Sequence, residues 1–260
     1  DCHGPGPRFQ KKNPQYHTEE RENNMALDKP EGLNIGGRYS YNSLTAQMAY
    51  DSAHRADSKL QPSMRPASVG DAKANFTVLL NQTGHDTVKD YILDKVLPWF
   101  RQEVKDGNPK ISIDDEGLDI LEKNIKDEKW NSKLGSIPFN NINDKTKELS
   151  PNSYASIVLK AYRPGTDIKQ EAFVTEEEQL VSKPFSKKAV FPIEDTVFEL
   201  YSGCYVKATV TFWAGSINGN PYLSASTNAV VFWKDGDPFA GGGSDAEGMI
   251  EGDDDDLFMD

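Results

Sequence analysis

The run Gly203 to Ala214, GCYVKATVTFWA, carries the side chains best suited to recognition chemistry. Strict alternation puts Cys204, Val206, Ala208, Val210, Phe212 and Ala214 on one face of a strand, and Tyr205, Lys207, Thr209, Thr211 and Trp213 on the other. Rings and an ammonium group turned away from a core are costly to leave in water unless something flat and anionic covers them. Rings stack on unpaired bases and ammonium groups neutralise phosphate. The run SYASIVLKAY, residues 153–162, repeats the combination. Ala155, Ile157, Leu159 and Ala161 face inward, Tyr154, Lys160 and Tyr162 outward, and Arg163 follows directly. Between the two runs, VSKPFSKKAVF (181–191) interleaves Lys183, Phe185, Lys187 and Lys188 around a proline, as a loop rimming a groove would. Arg38, behind Gly36-Gly37, adds a further cation. Packing beneath helices or at a subunit interface accounts equally well for any one of these rings, but less well for all of them together. Single strands suit the set better than duplex, because no basic recognition helix is present and stacking requires unpaired bases.

The chain's other unusual stretch is its end, EGDDDDLFMD. Asp253, Asp254, Asp255 and Asp256 repel one another and stay hydrated, so a packed structure is not expected over 241–260. A purely solvating tail gains nothing from Leu257, Phe258 and Met259, whereas a docking tail gains an anchor. The aspartates are expected to occupy a basic groove as phosphate mimics until a single strand displaces them. That displacement would free the apolar tip for a partner protein.

Catalysis has little support. The four histidines, His3, His17, His54 and His85, lack metal-ligand spacing, and GxxxxGK[ST], GxSxG and HExxH are all absent. Glu176-Glu177-Glu178 reads as a solvated loop rather than a metal patch. No catalytic residue, metal or cofactor is therefore expected. Two cysteines, Cys2 and Cys204, are too few for a disulfide framework and fit a reducing compartment. No run approaches the roughly 20 apolar residues of a membrane span. The net charge is -12, but residues 235–260 hold ten acids and no Lys or Arg, so removing them leaves -2. The acidity is local, and a basic surface on the body is compatible with it.

The elements that must position these residues follow from periodicity. Residues 38–50 read as a first strand and 51–71, with Pro62, Pro66 and Gly70, as a loop. KANFTVLL (73–80) alternates as a half-buried strand. A helix follows with Asp86 as its cap and Pro98 bending or restarting it, and a second spans 114–130 with acids in its first turn. Asn218-Gly219 supplies a hairpin turn between the 203–214 strand and a return strand over 224–234. The fold class expected is mainly β with added helices (α+β): about five strands in a closed or nearly closed small barrel, with a helical insertion at about 86–130. Glu19-Glu20-Arg21-Glu22 is coded by purine-rich triplets a few codons before Met25, like a ribosome-binding site. Residues 1–24 are accordingly expected to be leader, with a genuine disordered N-terminal arm as the alternative, 25–240 the folded domain and 241–260 a flexible tail.

LYSGCYVKATVTFWA, then STNAVVFWKDGDPFAGG with an acidic end, resembles the phage single-stranded-DNA-binding family once labelled only as a domain of unknown function. SPNSYASIVLKAYRPG and KANFTVLL followed by a helix are similar to that family's earlier parts. The resemblance implies an oligonucleotide-binding (OB) barrel that coats single-stranded DNA in phage replication or recombination, in the cytoplasm of an infected bacterium. It also implies an acidic tail that contacts replication proteins, a polymerase, helicase or primase. An edge strand could pair with a second copy, so a homodimer is among the expected partners. The alternative is a phage structural or assembly protein with a solubilising tail.

Overall fold

A computed structural model describes residues 27–130, 132–174, 191–192, 200–239 and 250–251. Five strands close on themselves: β1 (Leu33–Ser43), β2 (Asn75–Leu80), β4 (Ala155–Ala161), β7 (Tyr205–Ile217) and β8 (Asn220–Thr227). β1 pairs antiparallel with β2 (Tyr39 opposite Val78), and β2 with β4 (Val78 opposite Ile157). β4 meets β8 in parallel through Lys160–Ser226 and Ala161–Thr227. β8 returns along β7 (Leu223 opposite Ala214), and β7 closes on β1 (Ala208 opposite Ile35). Counting barrel strands alone, the circuit runs first, second, third, fifth, fourth, first, with its only parallel contact between third and fifth. That is the Greek-key closure of an OB barrel, which removes the sheet edges a five-stranded meander would leave open.

Alternation fills the interior. Phe76, Val78 and Leu80 from β2, Ile157 and Leu159 from β4, Val206, Ala208 and Val210 from β7, and Leu223 and Ala225 from β8 form one buried cluster. The turn between β7 and β8 uses positive φ at Asn218 (51°) and Gly219 (80°), the pair that a two-residue hairpin with native twist demands.

The expected α+β class holds, and the sheet extends on both sides of the barrel. β9 (Ala229–Lys234), β5 (Lys169–Val174) and β6 (Phe191–Pro192) add a wing beside the first half of β7. β3 (Phe139–Ile142) pairs with β4, and β10 (Ile250–Glu251) pairs antiparallel with β3.

Local boundaries depart from the sequence reading in several places; the return strand expected over 224–234, for one, is two strands, β8 ending at Thr227 and β9 starting at Ala229. The first strand begins at Leu33, and residues 46–53 form a short helix, α1, whose Thr45 hydroxyl accepts from the Met48 amide at 3.1 Å. The next helix, α2 (Gln82–Tyr91), is capped by Asn81, whose Oδ1 accepts from Gly84 N at 2.8 Å, and not by Asp86, which lies within it. α2 runs through a π turn at Ile92–Val96 into α3 (Leu97–Lys105). Widening the turn just before Pro98 accommodates its ring and missing N–H without ending the helix. Finally, the asparagine-rich stretch after α4 (Asp115–Lys126) holds β3 and the short helix α5 (Asp144–Leu149). Ile142 and Leu149 of this inserted layer, with Phe239, pack on Leu79, and both Thr77 and Leu79 are buried as completely as the barrel-facing residues.

Candidate nucleic-acid interface

On the outside of the barrel, β4, β8 and the far half of β7 form the floor of a groove of about 510 Å³. Lys29, Lys73 and Lys160 line it together with Tyr162, Trp99, Trp213 and Tyr222, and no Asp or Glu is among its lining residues. In a chain of net charge -12 this is a marked segregation. Hydroxyls of Thr211, Ser224 and Ser226 complete the floor.

Each side chain is placed by simple rules. Val158 and Lys160 alternate outward on β4 while Ile157 and Leu159 fill the barrel. Tyr162, just past the strand end, is 54% exposed, and the exposed Arg163 guanidinium lies 5.8 Å from its ring centre. Trp213 is half-buried and meets Phe100 of α3 edge-on at 5.4 Å and 86°. Its neighbour Trp99 meets Phe100 at 4.8 Å and carries the exposed Lys29 ammonium 5.9 Å from its ring. Tyr222 lies against Gly215, where a Cβ would come within 2.6 Å of the phenol oxygen, so glycine there makes room for the ring. Burial raises the Tyr222 phenol above the ordinary tyrosine range, which keeps it neutral and able to donate.

The outward row of β7 divides into two clusters. Trp213 belongs to the groove, whereas Tyr205 and Lys207 lie toward the wing with Trp233 and Lys234 of β9. There Tyr205 and Trp233 meet edge-on at 6.2 Å, Lys207 sits 4.4 Å from the Trp233 ring centre, and Lys234 sits 4.8 Å from both rings. Desolvation holds the Lys207 ammonium below its ordinary value. Exposed Thr209 and Thr211 bridge the two clusters.

Arg38 is engaged elsewhere. Its guanidinium donates to the carbonyl oxygens of Gly203 (3.1 Å), Leu149 (2.9 Å) and Asp237 (2.6 Å) and stacks over Phe239 at 4.5 Å. It lies 5.6 Å from the Tyr205 ring, but three carbonyl acceptors, one on each nitrogen, already fix its position. Lys183, Phe185, Lys187 and Lys188 lie outside the described residues, as do Asp253 to Asp256, Leu257 and Phe258.

Sequence reasoning missed Lys29, Lys73, Trp99, Tyr222, Trp233 and Lys234. The last two had a signal, since Trp233-Lys234 repeats the ring-cation pairing in the strand that returns beside Tyr205. Lys29 and Trp99 had none, because only tertiary packing brings the N-terminal segment and α3 to the groove.

Cys204 and His85 are enclosed. Burial pushes the Cys204 thiol up to about 11, which leaves it protonated at neutral pH. His85 is fully buried among Trp130, Phe139 and Tyr154, with Nδ1 3.0 Å from Asp86. Among the described residues no group of three or more His, Cys, Asp or Glu could hold a metal ion, and no helix is long and apolar enough to cross a membrane.

Residues 160–259 match the family described as the single-stranded-DNA-binding protein of Enterobacter phage Enc34. The resemblance expected from the sequence is therefore found over that part of the chain, which contains the β7–β8 hairpin, the wing strands and the tail. A curated relative, putative protein p50 of Acyrthosiphon pisum secondary endosymbiont phage 1, is 56% identical over 43 residues. That match takes in 16% of this chain and spans about a quarter, 23%, of the relative's length. Among solved structures, the single-stranded DNA-binding protein from bacteriophage Enc34 is 15% identical, with 83% of this chain and 86% of that one covered at a TM-score of 0.38. The bacteriophage T7 single-stranded DNA binding protein gp2.5 is 11% identical, with 82% and 93% covered at 0.37.

Proposed function

We propose that this chain is a non-enzymatic single-stranded-DNA-binding protein of phage origin, coating strands without strong sequence preference during replication or recombination in the cytoplasm of an infected bacterial host. The observation that carries this reading is the groove: three lysines, accessible rings and no carboxylate, on the outside of an OB barrel in an otherwise acidic chain. The family match over residues 160–259 supports it independently.

In this reading the phosphates of a bound strand run past Lys29, Lys73, Lys160 and Arg163, while bases stack on Tyr162 and Trp213. The strand continues along the outward row of β7 to Tyr205, Lys207, Trp233 and Lys234. From residue 205 to residue 213 that row spans about 26 Å at ordinary strand rise. Lys183, Phe185, Lys187 and Lys188, in the sequence joining β5 to β6, supply further cations and a ring. The aspartates at 253–256 compete with DNA for the groove, and Leu257 and Phe258 engage replication proteins once displaced.

The test is fluorescence anisotropy with labelled oligo-dT and a duplex of equal length at the same salt concentration. Binding to the single strand at least about tenfold tighter is expected, because stacking contributes on the order of 1 to 3 kcal/mol per base and duplex bases are not available to it. Equal or preferential binding to duplex would overturn the proposal.

A further inference from the structure

We infer that Tyr91 is a positioning residue for the groove: its hydroxyl ties down residues 29–31 and thereby sets the Lys29 ammonium beside Trp99, where a phosphate of the bound strand passes. The inference rests on the single-stranded-DNA reading above and adds to it a residue that is not among those lining the groove.

The segment before β1 has little of its own to hold it. Leu33, the first residue of β1, sits opposite Val210, and no strand pairing includes residues 29–31. Gly32 still lies against β7, since a Cβ there would come within 2.5 Å of the Thr209 methyl. The Thr209 hydroxyl donates to Asn34 Oδ1 at 2.7 Å and secures the same crossing. Beyond Gly32, Pro30 has no amide hydrogen to donate and favours an extended Lys29.

Tyr91 supplies the hold that pairing does not. Its hydroxyl donates to the Glu31 carbonyl oxygen, and its half-buried ring packs on Phe212 with centres 6.1 Å apart at 45°. Burial, with a smaller push from Glu31, raises the phenol above the ordinary tyrosine range, so it remains a donor at neutral pH. Lys29 and Pro30 then reach the groove, and the exposed Lys29 ammonium stands 5.9 Å from the Trp99 ring centre. Asp28 and Glu31, the acids on either side, are exposed and do not line the groove. A lysine already held at its site loses less freedom when a phosphate arrives than one on a loose segment.

The π turn at Ile92–Val96 serves the same arrangement. Tyr91 and Trp99 are eight residues apart, and on a regular α-helix of 3.6 residues per turn they would point about 80° away from each other. A π turn winds less per residue and takes up part of that angle, so both side chains meet the segment 29–31.

Oligo-dT affinity is measured over a range of salt for the full-length parent, Lys29→Ala, Tyr91→Phe and the combination. Lys29→Ala is expected to make the slope of log K against log salt shallower by about 0.7, one phosphate contact on a single strand. Tyr91→Phe keeps every charge and the ring on Phe212, so a purely structural role would leave that slope unchanged. It is expected to weaken binding about two- to tenfold, the span of one lost hydrogen bond, and to move the slope in the direction of Lys29→Ala. Once Lys29 is gone, Tyr91→Phe should change affinity by less than about 1.5-fold. The same loss in both backgrounds, or a Tyr91→Phe slope equal to the parent's, would overturn the positioning role. A Lys29→Ala slope equal to the parent's would also overturn it, while leaving single-strand binding by the rest of the groove intact. Absence of oligo-dT binding by the parent would remove the functional reading itself.

Discussion

Tyr162 gives the cleanest measure of what one side chain contributes to the interface. More than half of it is exposed, so truncation removes a stacking surface with little effect on the core. Tyr162→Ala is expected to weaken oligo-dT binding by about 1 to 3 kcal/mol, with a melting temperature within about 1 °C of the parent. Trp213→Ala should lose both binding and stability, since the ring also fills the space against Phe100. A Trp213→Ala protein that melts like the parent would contradict that packing. At Glu128, a hydrogen bond from the Lys89 ammonium at 2.8 Å, aided by the Tyr154 hydroxyl, holds the carboxyl below its ordinary value. A depressed carboxyl contributes stability above its unfolded value and loses it as pH falls through the folded one. Glu128→Gln should therefore lower the melting temperature at neutral pH, and the gap to the parent should close as pH falls below the ordinary glutamate range, in a calorimetric pH series. The sequence displayed Tyr162 and Trp213 because they continue the outward rows of alternating runs. It could not display Glu128, whose partners lie 39 and 26 residues away.

At the scale of elements, legibility followed burial on one face. β4 and β7 were readable since their inward rows are apolar and their outward rows polar, the pattern that a barrel wall in contact with water imposes. β2 read as half-buried yet is buried on both faces, because Ile142 and Leu149 of an insertion and Phe239, far along the chain, pack on Leu79. β3 and α5 were read as a polar connection: Asn143 caps α5, accepting from the Thr146 amide at 2.8 Å, and the asparagines at 140, 141 and 143 interrupt any apolar period. The cap at Asn81 was missed since Gly84 and Thr83 weaken the helical pattern just behind it. Asn81→Ala should cost about 1 kcal/mol of stability in urea unfolding, the ordinary value for a lost N-cap. A cost near zero would mean that packing of α2 alone sets its start.

The whole molecule separates charge by region. Ten acids sit after residue 234 while the body is nearly neutral, and the body gathers its lysines in a groove without carboxylates. Composition revealed the first half of that arrangement. The second required the barrel to close, because Lys29, Lys73 and Lys160 become neighbours only through the pairings of β1, β2, β4 and β8. The strand order itself came from family resemblance and not from pattern, as period-2 alternation does not say which strands are adjacent. Salt dependence reads the contact of these lysines with phosphates directly. Each phosphate neutralised on a single strand contributes about -0.7 to the slope of log K against log salt. Oligo-dT affinity should be measured over a range of salt for the parent and for Lys73→Ala with Lys160→Ala. The slope should become shallower by about 1.4 in the double variant, with the fold unchanged by circular dichroism. Equal slopes for the two proteins, or oligo-dT binding indifferent to salt, would contradict the assignment of the groove.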